Sequence, residues 1–461
     1  MTSISLSEKN KKLLLPYQIG NAENIIRILT NNTTCGDFSD TGTGKTYTAI
    51  AACATMKLNP IIICPKSVMN IWKKVCEIFN VKPFIIVNYE TIKNMKMYDK
   101  SGNRKLCSYI RYDEKNKKYI WKDLPEKCVF VFDEVHKSCN INSYNGKLLL
   151  STKDTNKYII MLSATAADTV EKVRVFAYML NFISKSEVDA NKLDFNGYMK
   201  LIDAWINRDD KIMIRFHNML MPSRMTRMTI DTIPDFPKSI ITAKPFSMGK
   251  KTEEKIQKEY SIIFDALEEL KEKKKKDKHN PLVSILRATQ AVEMLKVATI
   301  VELAIDFLEQ HFSIVIFVNF SKTLDMLASL LKTNCVIRGE QSDNERQTNI
   351  DLFQNNKEKI IICMIQAGGV GISLHDLHGR KRVSLISPCW SAIVLKQAIG
   401  RIFRAGSKST SLQYIIFTSN TVEEKISDKL EIKLKTLDSL NDGDVNIKNI
   451  VFEKKPEQRR M

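Results

Sequence analysis

The chain has 461 residues, room for about three domains or two large ones with insertions. Apolar residues make up 44%, ample for buried cores, and no apolar run approaches the ~20 residues that span a bilayer. A net charge of +19 points to a polyanion such as nucleic acid, or else to the Lys-, Asn- and Ile-rich bias of an A/T-rich genome.

The N-terminus, "MTSISLSEKNKKLLL", is polar and then basic, with too short an apolar stretch for a signal peptide. An intracellular, soluble protein is expected. The ten cysteines form no C-x-x-C pair, so neither a zinc site nor a disulfide framework is suggested, and most are expected as reduced core residues. Cys35 to Asp40 reads as a short strand and turn, followed by "TGTGKT" (41–46) and an alanine-rich helix. A phosphate chain needs many donors and no bulk beside it. Gly42 and Gly44 let the backbone turn its N–H groups inward. Lys45 can reach the β and γ phosphates, the Thr46 hydroxyl can bind Mg²⁺, and the helix adds its positive dipole end. The strict phosphate-loop pattern has a glycine where Ser39 stands; a plain glycine turn before a helix is the alternative.

Short, continuously apolar, β-branched runs recur between helical stretches. In the first half they lie at 60–65, 84–89, 128–134 and 158–165; in the second at 313–320, 335–339, 359–365, 383–388 and 412–418. Such runs mark strands buried on both faces, as in parallel sheets covered by helices, and two sets imply two α/β lobes. "VFVFDEVH" (129–136) ends in two carboxylates, Asp133 to hold Mg²⁺ and Glu134 to orient and deprotonate a water. A surface acidic pair hardly explains an apolar strand running straight into it. "CSYIRYDEKNKKYIWKD" (107–123) reads as a hairpin insertion, and Ser163 and Thr165 could link the Asp133 and His136 region to neighbouring loops.

Residues 171–300 read as mainly helical, with Ile262, Ile263, Ala266 and Leu267 at helical spacing and Pro281 marking a break. Lys273 to Lys276 are a solvated helix end or a phosphate contact. In "QAGGVGISLHDL" (366–377), Gly368, Gly369 and Gly371 allow close approach to phosphates. "QAIGRIFRAG" (397–406) sets Gln397, Arg401 and Arg404 on one face of a helix, either solvated or aimed at transition-state charge. His375 and His378 could pair on a metal, but without nearby cysteines they read as structural.

In order, these pieces resemble the superfamily 2 helicases and translocases across nearly the whole chain. "LLLPYQIGNAENII" (13–26) resembles the adenine-recognising segment, with Gln18 in the glutamine position. "TGTGKT", "ICPKSVMNIWKK" (63–74), "DEVH", "SAT", "GGVGISL" and "QAIGRIFRAG" resemble motifs I, Ia, II, III, V and VI. Within the superfamily, "LPYQ", "NYETIK" (88–93), "RGEQSDNERQTNIDLFQ" (338–354) and "NTVEEKI" (420–426) are similar to the Swi/Snf-type DNA-dependent ATPases and related viral ATPases. That group commonly has acidic residues where Ser39 and Asp40 stand, and Thr-Gly-Thr-Pro at 163–166. The "SAT" found here is typical of strand-separating helicases.

The resemblance implies an α/β protein of two RecA-like lobes with parallel sheets and a helical insertion between them. The lobes would occupy 1–170 and 301–440, the helical linking region 171–300, and a C-terminal tail 441–461. ATP and Mg²⁺ are the implied cofactors. Gln18, Thr41, Gly42, Thr43, Gly44, Lys45 and Thr46 would bind nucleotide, and Thr46 and Asp133 the metal. Lys45, Glu134, Gln397, Arg401 and Arg404 would be catalytic. Pro65, Lys66, Thr91, Gln366 and Gly369 would grip nucleic-acid phosphates without reading sequence. The implied activity is ATP-driven movement along DNA, probed against two alternatives: an RNA helicase, and a nucleic-acid-binding subunit with a non-catalytic ATP site. A large DNA virus is the implied source, placing the protein in the virion or the host cytoplasm or nucleus.

Overall fold

The computed structural model describes residues 5–99, 101–164, 172–183, 194–206, 212–271, 280–368, 372–389, 391–404, 406–442 and 450–453. Two compact units divide the chain: Met1–Asp235 with Lys433–Asn446, and Phe236–Ile432 with Ile447–Met461.

The first unit contains β1 (Thr34–Asp37), β2 (Asn59–Cys64), β3 (Ile85–Asn88), β4 (Lys96–Tyr98), β5 (Arg104–Leu106), β6 (Ile110–Asp113), β7 (Lys118–Trp121), β8 (Cys128–Asp133), β9 (Tyr158–Leu162) and β10 (Met225–Thr226). Six of these form one parallel sheet in the order β10-β1-β9-β8-β2-β3. The continuous apolar runs are buried because helices cover both faces. One face packs Ile25, Ile26, Ala49 and Trp72; the other packs Phe130, Phe132, Leu148 and Phe176. Register aligns Asp37 with Leu162 and Leu162 with Asp133, so the two carboxylates stand level at the carboxyl edge. Ligands of open parallel sheets bind at that edge.

The expected hairpin at 107–123 is the antiparallel pair β6–β7, and a second antiparallel pair, β4–β5, precedes it.

The second unit contains β11 (Ser239–Phe246), β12 (Ser313–Val318), β13 (Val336–Ile337), β14 (Ile360–Met364), β15 (Arg382–Ile386), β16 (Ser411–Thr418) and β17 (Ile450–Phe452). They form a parallel sheet in the order β13-β14-β12-β15-β16-β11-β17.

The span 171–300 is not one linking region. Val173, Phe176, Met179 and Tyr198 pack into the core of the first unit, and β10 extends its sheet. β11 pairs with β16 over eight residues in the second unit. The reason is burial: amphipathic helices and short apolar strands are stable only against a sheet, and each half of the span has one. β17 likewise lies within the expected tail. It pairs β11 only over Ile241–Ala243, so Pro245 sits where that side of β11 has no ladder to break. The helix Lys250–Lys271 buries Ile256, Tyr260, Ile263 and Ala266 but exposes Ile262 and Leu267. Pro281 is the first residue of the next helix, capped by Asn280.

Among the described residues no helix is long and apolar enough to cross a membrane. All ten cysteines are free thiols, nine of them buried.

Candidate nucleotide site

The loop 38–46 leaves β1 at the carboxyl edge and enters the helix Lys45–Met56. Gly42 and Gly44 have φ of 86° and 93°, a region glycine enters without steric cost. A Cβ on Gly44 would lie 2.1 Å from Gln18 Nε2, so a side chain there would displace the Gln18 amide, and its φ of 93° disfavours any residue but glycine. Gln18 is buried and spans two segments. Its Oε1 accepts from Leu15 N (2.9 Å) and its Nε2 donates to the Thr43 carbonyl (2.9 Å).

Ser39 replaces the expected glycine for a reason visible in its contacts. Its hydroxyl donates to Asp37 and accepts from Met228 N (2.8 Å), while its N–H donates to Asp37 Oδ1 (3.0 Å). Asp37 is fully buried and also accepts from Asn21 Nδ2 (2.9 Å). Asp40 is held from the same side. Arg227 Nη2 lies 2.9 Å from its Oδ1, Ile230 N donates to its Oδ2 (2.9 Å), and Arg227 also donates to the Phe38 carbonyl. Backbone bonds from Phe38 N to Thr226 O (3.0 Å) and Asp40 N to Met228 O (3.0 Å) complete a strap along the loop. Asn21, Asp37 and Arg227 are not legible in the sequence because no short motif joins residues 21, 37 and 227.

Lys45 Nζ lies inside the loop, donating to Ser39 O (2.7 Å) and Asp40 O (3.0 Å). Burial pulls its pKa down, opposed by the charges of Glu134, Asp37, Asp133 and Asp40. Asp133 ends β8. Its Oδ2 accepts from the indole N–H of the buried Trp72 (2.9 Å), its Oδ1 accepts from Glu134 N (3.0 Å), and Tyr89 OH donates to its carbonyl (2.8 Å). Burial first, and the Glu134 charge second, hold the Asp133 carboxyl above the usual carboxylate range. Glu134 turns away from the strand at φ 54°, and its Oε2 is 3.3 Å from His136 Nδ1, which is also 3.1 Å from Ser163 Oγ. Ser163 thus joins the ends of β8 and β9, as expected; Thr165 lies outside the described residues. A buried indole N–H needs a partner, so Trp72 is a residue whose role motif reading could have sought.

The donor set suits a small hard cation. Among the described residues no group of three or more His, Cys, Asp or Glu side chains is arranged to hold a metal. Mg²⁺ does not need such a cage, taking one or two carboxylates with phosphate oxygens and water. Thr46 offers a hydroxyl, and Asp133 a carboxyl that burial and the Glu134 charge hold above the usual range and that a cation would favour ionised.

In the second unit, the helix Ala392–Ile399 carries Gln397 but ends at Gly400. Arg401 and Arg404 therefore lie past the helix, not on its face as expected, because the chain turns at the capping glycine. They still converge. Arg401 Nη1 (3.3 Å) and Arg404 Nη2 (2.9 Å) both donate to the Ile372 carbonyl, and Leu374 N donates to Arg401 O (2.8 Å). The "HDLHG" loop is built on Asp376, whose Oδ1 accepts from the N–H groups of His378, Gly379 and Arg380. Burial first, then the Arg404 and Arg382 charges, push His375 down to about 4.

Of the expected phosphate contacts, Pro65 and the exposed Lys66 follow β2 and the exposed Gln366 follows β14. Gly369 and Gly371, with Lys273 to Lys276, lie outside the described residues. Thr91 does not face outward: it is 1% exposed, with its hydroxyl 3.1 Å from Tyr98 OH. The β4–β5 pair covers it.

Comparison with known proteins fits this arrangement. Residues 11–168 match the family model described as type III restriction enzyme, res subunit, and 295–406 match helicase conserved C-terminal domain. A protein of Acanthamoeba polyphaga mimivirus, named as an ATP-dependent RNA helicase, is 37% identical over 99% of this chain and 89% of its own. The chain belongs to superfamily 2 of the helicases and translocases. Its two parallel-sheet units are the RecA-like lobes of that superfamily, and it is a nucleic-acid-dependent ATPase. The human SWI/SNF-related matrix-associated actin-dependent regulator of chromatin subfamily A member 1 is 24% identical over 93% of this chain, which spans 43% of that longer protein. A Sulfolobus solfataricus SWI2/SNF2 ATPase core in complex with dsDNA has 18% identity and a TM-score of 0.35, over 96% of this chain and 95% of that one.

Proposed function

We propose that this superfamily 2 ATPase is a DNA translocase that turns ATP hydrolysis into movement along a duplex. Lys45, with Thr41 to Thr46, receives the phosphates, and Gln18 serves the adenine side while its amide clamps Thr43. Thr46 and Asp133 would hold Mg²⁺, which supplies charge neutralisation at the phosphates. Glu134 accepts the proton of the attacking water, and its contact with His136 ties that event to Ser163, just past the end of the neighbouring strand. Arg401 and Arg404, ordered by Ile372, and Gln397 respond to the charge that develops during turnover. The observation that carries the catalytic reading is the alignment of Asp133 with Asp37 at one sheet edge beside Lys45.

The choice of duplex DNA rests on the similarity to the SWI/SNF-related chromatin regulator over nearly the whole chain. A second reading, an RNA helicase, is favoured by the name of the mimivirus relative. That relative also supports a large DNA virus as the source.

Paired variants test the catalytic assignment. Lys45→Ala should weaken ATP binding, since it removes the cation inside the loop. Glu134→Gln should bind ATP normally yet turn it over at least about a hundredfold more slowly, the scale of a lost general base. Nucleotide titration and steady-state hydrolysis separate the two; near-normal turnover in Glu134→Gln would remove it from the base role.

A further inference from the structure

The insertion β4–β7 is used by nothing in the nucleotide site. Residues 103–122 carry seven cations and two carboxylates, about a quarter of the chain's net charge in fewer than one residue in twenty. All seven cations, Arg104, Lys105 and Arg111 among them, are exposed. The other side of the insertion is apolar and fixed. Cys107, Ile110, Tyr119 and Trp121 are buried in the lobe core. The Trp121 ring lies 4.8 Å from Phe130, its N–H donates to Ser151 Oγ (3.0 Å), and Tyr119 OH donates to the Lys93 carbonyl (2.6 Å). The result is two small antiparallel pairs, the second anchored in the lobe core, whose exposed side is cationic.

Its location gives that charge a direction. Tyr98 on β4 accepts from Asn88 Nδ2 (2.7 Å) and meets Thr91 at the carboxyl end of β3. Tyr98 pairs in register with Arg104. Where Thr91 was expected to meet a phosphate, the insertion has covered it and presents Arg104 and Lys105 instead.

We propose that the β4–β7 insertion is a nucleic-acid-binding surface that replaces Thr91 and extends the track along the first lobe by binding phosphodiesters. The inference rests on the nucleic-acid reading above. Exposed cations on anchored antiparallel pairs suit a regularly spaced polyanion, and contacts to phosphates confer affinity without sequence preference. The aromatic rings Tyr112 and Tyr119 are 4.9 Å apart and packed together beneath this face, so stacking on bases is not part of it.

The test is the full-length triple variant R104Q/K105Q/R111Q, beside a control, K9Q/K82Q/K127Q, that removes three exposed lysines elsewhere. Affinity for a duplex DNA and for a single-stranded RNA of equal length is measured from about 50 to 200 mM salt, with ATP turnover in the absence of nucleic acid. The triple variant should bind duplex at least about tenfold more weakly. Its slope of log K against log salt should fall by about 2 to 3, near 0.9 for each phosphate that is no longer neutralised. The same substitutions should change the slope for RNA less, by about 0.7 for each phosphate. Turnover without nucleic acid should be unchanged. Affinity and slope within twofold of wild type, or an equal weakening in the control, would overturn the proposal while leaving the translocase reading intact. A wild-type protein that binds neither polymer would sink both.

Discussion

At the scale of single residues, the phosphate loop is held from outside as much as by its own glycines. Arg227 joins Asp40 to the Phe38 carbonyl, with its side chain only 5% exposed. Truncating it strands Asp40 without its guanidinium and frees one wall of the loop. Arg227→Ala should therefore raise KM for ATP by about tenfold and change kcat by much less, the pattern of weakened ground-state binding. Arg227→Lys keeps the charge but not the fork that reaches two acceptors, so it should recover only part of the affinity. Steady-state kinetics decide the matter: a fall in kcat at unchanged KM would place Arg227 in the chemical step instead. Ser39 illustrates the same logic, since a glycine there would fit the common pattern yet leave Asp37 and Met228 N without their shared partner.

At the scale of elements, the second lobe is pinned by a buried pair. Lys296 Nζ lies 2.6 Å from Glu423 Oε1, and the two side chains are 3% and 2% exposed. Tyr260 OH donates to the same oxygen (3.1 Å) and Thr418 N to the other (2.7 Å). One carboxylate thus links two helices and the end of β16. Glu423→Gln should cost about 3–5 kcal/mol, because it leaves the Lys296 charge buried and unpaired. Lys296→Met in that background should restore part of the stability, a coupling that a double-mutant cycle of urea unfolding measures. Additive single effects would show that the charges do not act together. Pattern reading reaches the apolar strands, because burial on both faces leaves unbroken runs such as "CVFVFD". It misses β11, whose "SIITAKPF" mixes a lysine and a proline into the strand, and β10 and β17, too short for any period to show. Likewise "QAIGRIFRAG" has helical spacing, yet Gly400 ends the helix before either arginine. Thr91 reads as a phosphate ligand at a strand end; only the fold shows Tyr98 above it.

For the whole molecule, the question is which polymer the ATPase follows. Cationic groups such as Lys66 and Arg104 reach outward near the carboxyl edge of the first sheet, and contacts of this type recognise backbone and not bases. Turnover in the presence of duplex DNA should therefore vary little with base sequence. It should depend steeply on salt: if about six phosphates are held, affinity falls roughly a thousandfold between 50 and 200 mM, as condensed counterions are released. Duplex DNA should stimulate hydrolysis more than single-stranded DNA or RNA, in keeping with the chromatin-regulator similarity that spans 93% of the chain. Half-maximal stimulation by each polymer, measured side by side at several salt concentrations, supplies the comparison. Strong stimulation by single-stranded RNA with duplex DNA inert would reject the duplex translocase and leave the RNA helicase. Stimulation that is insensitive to salt would reject a backbone grip for either polymer.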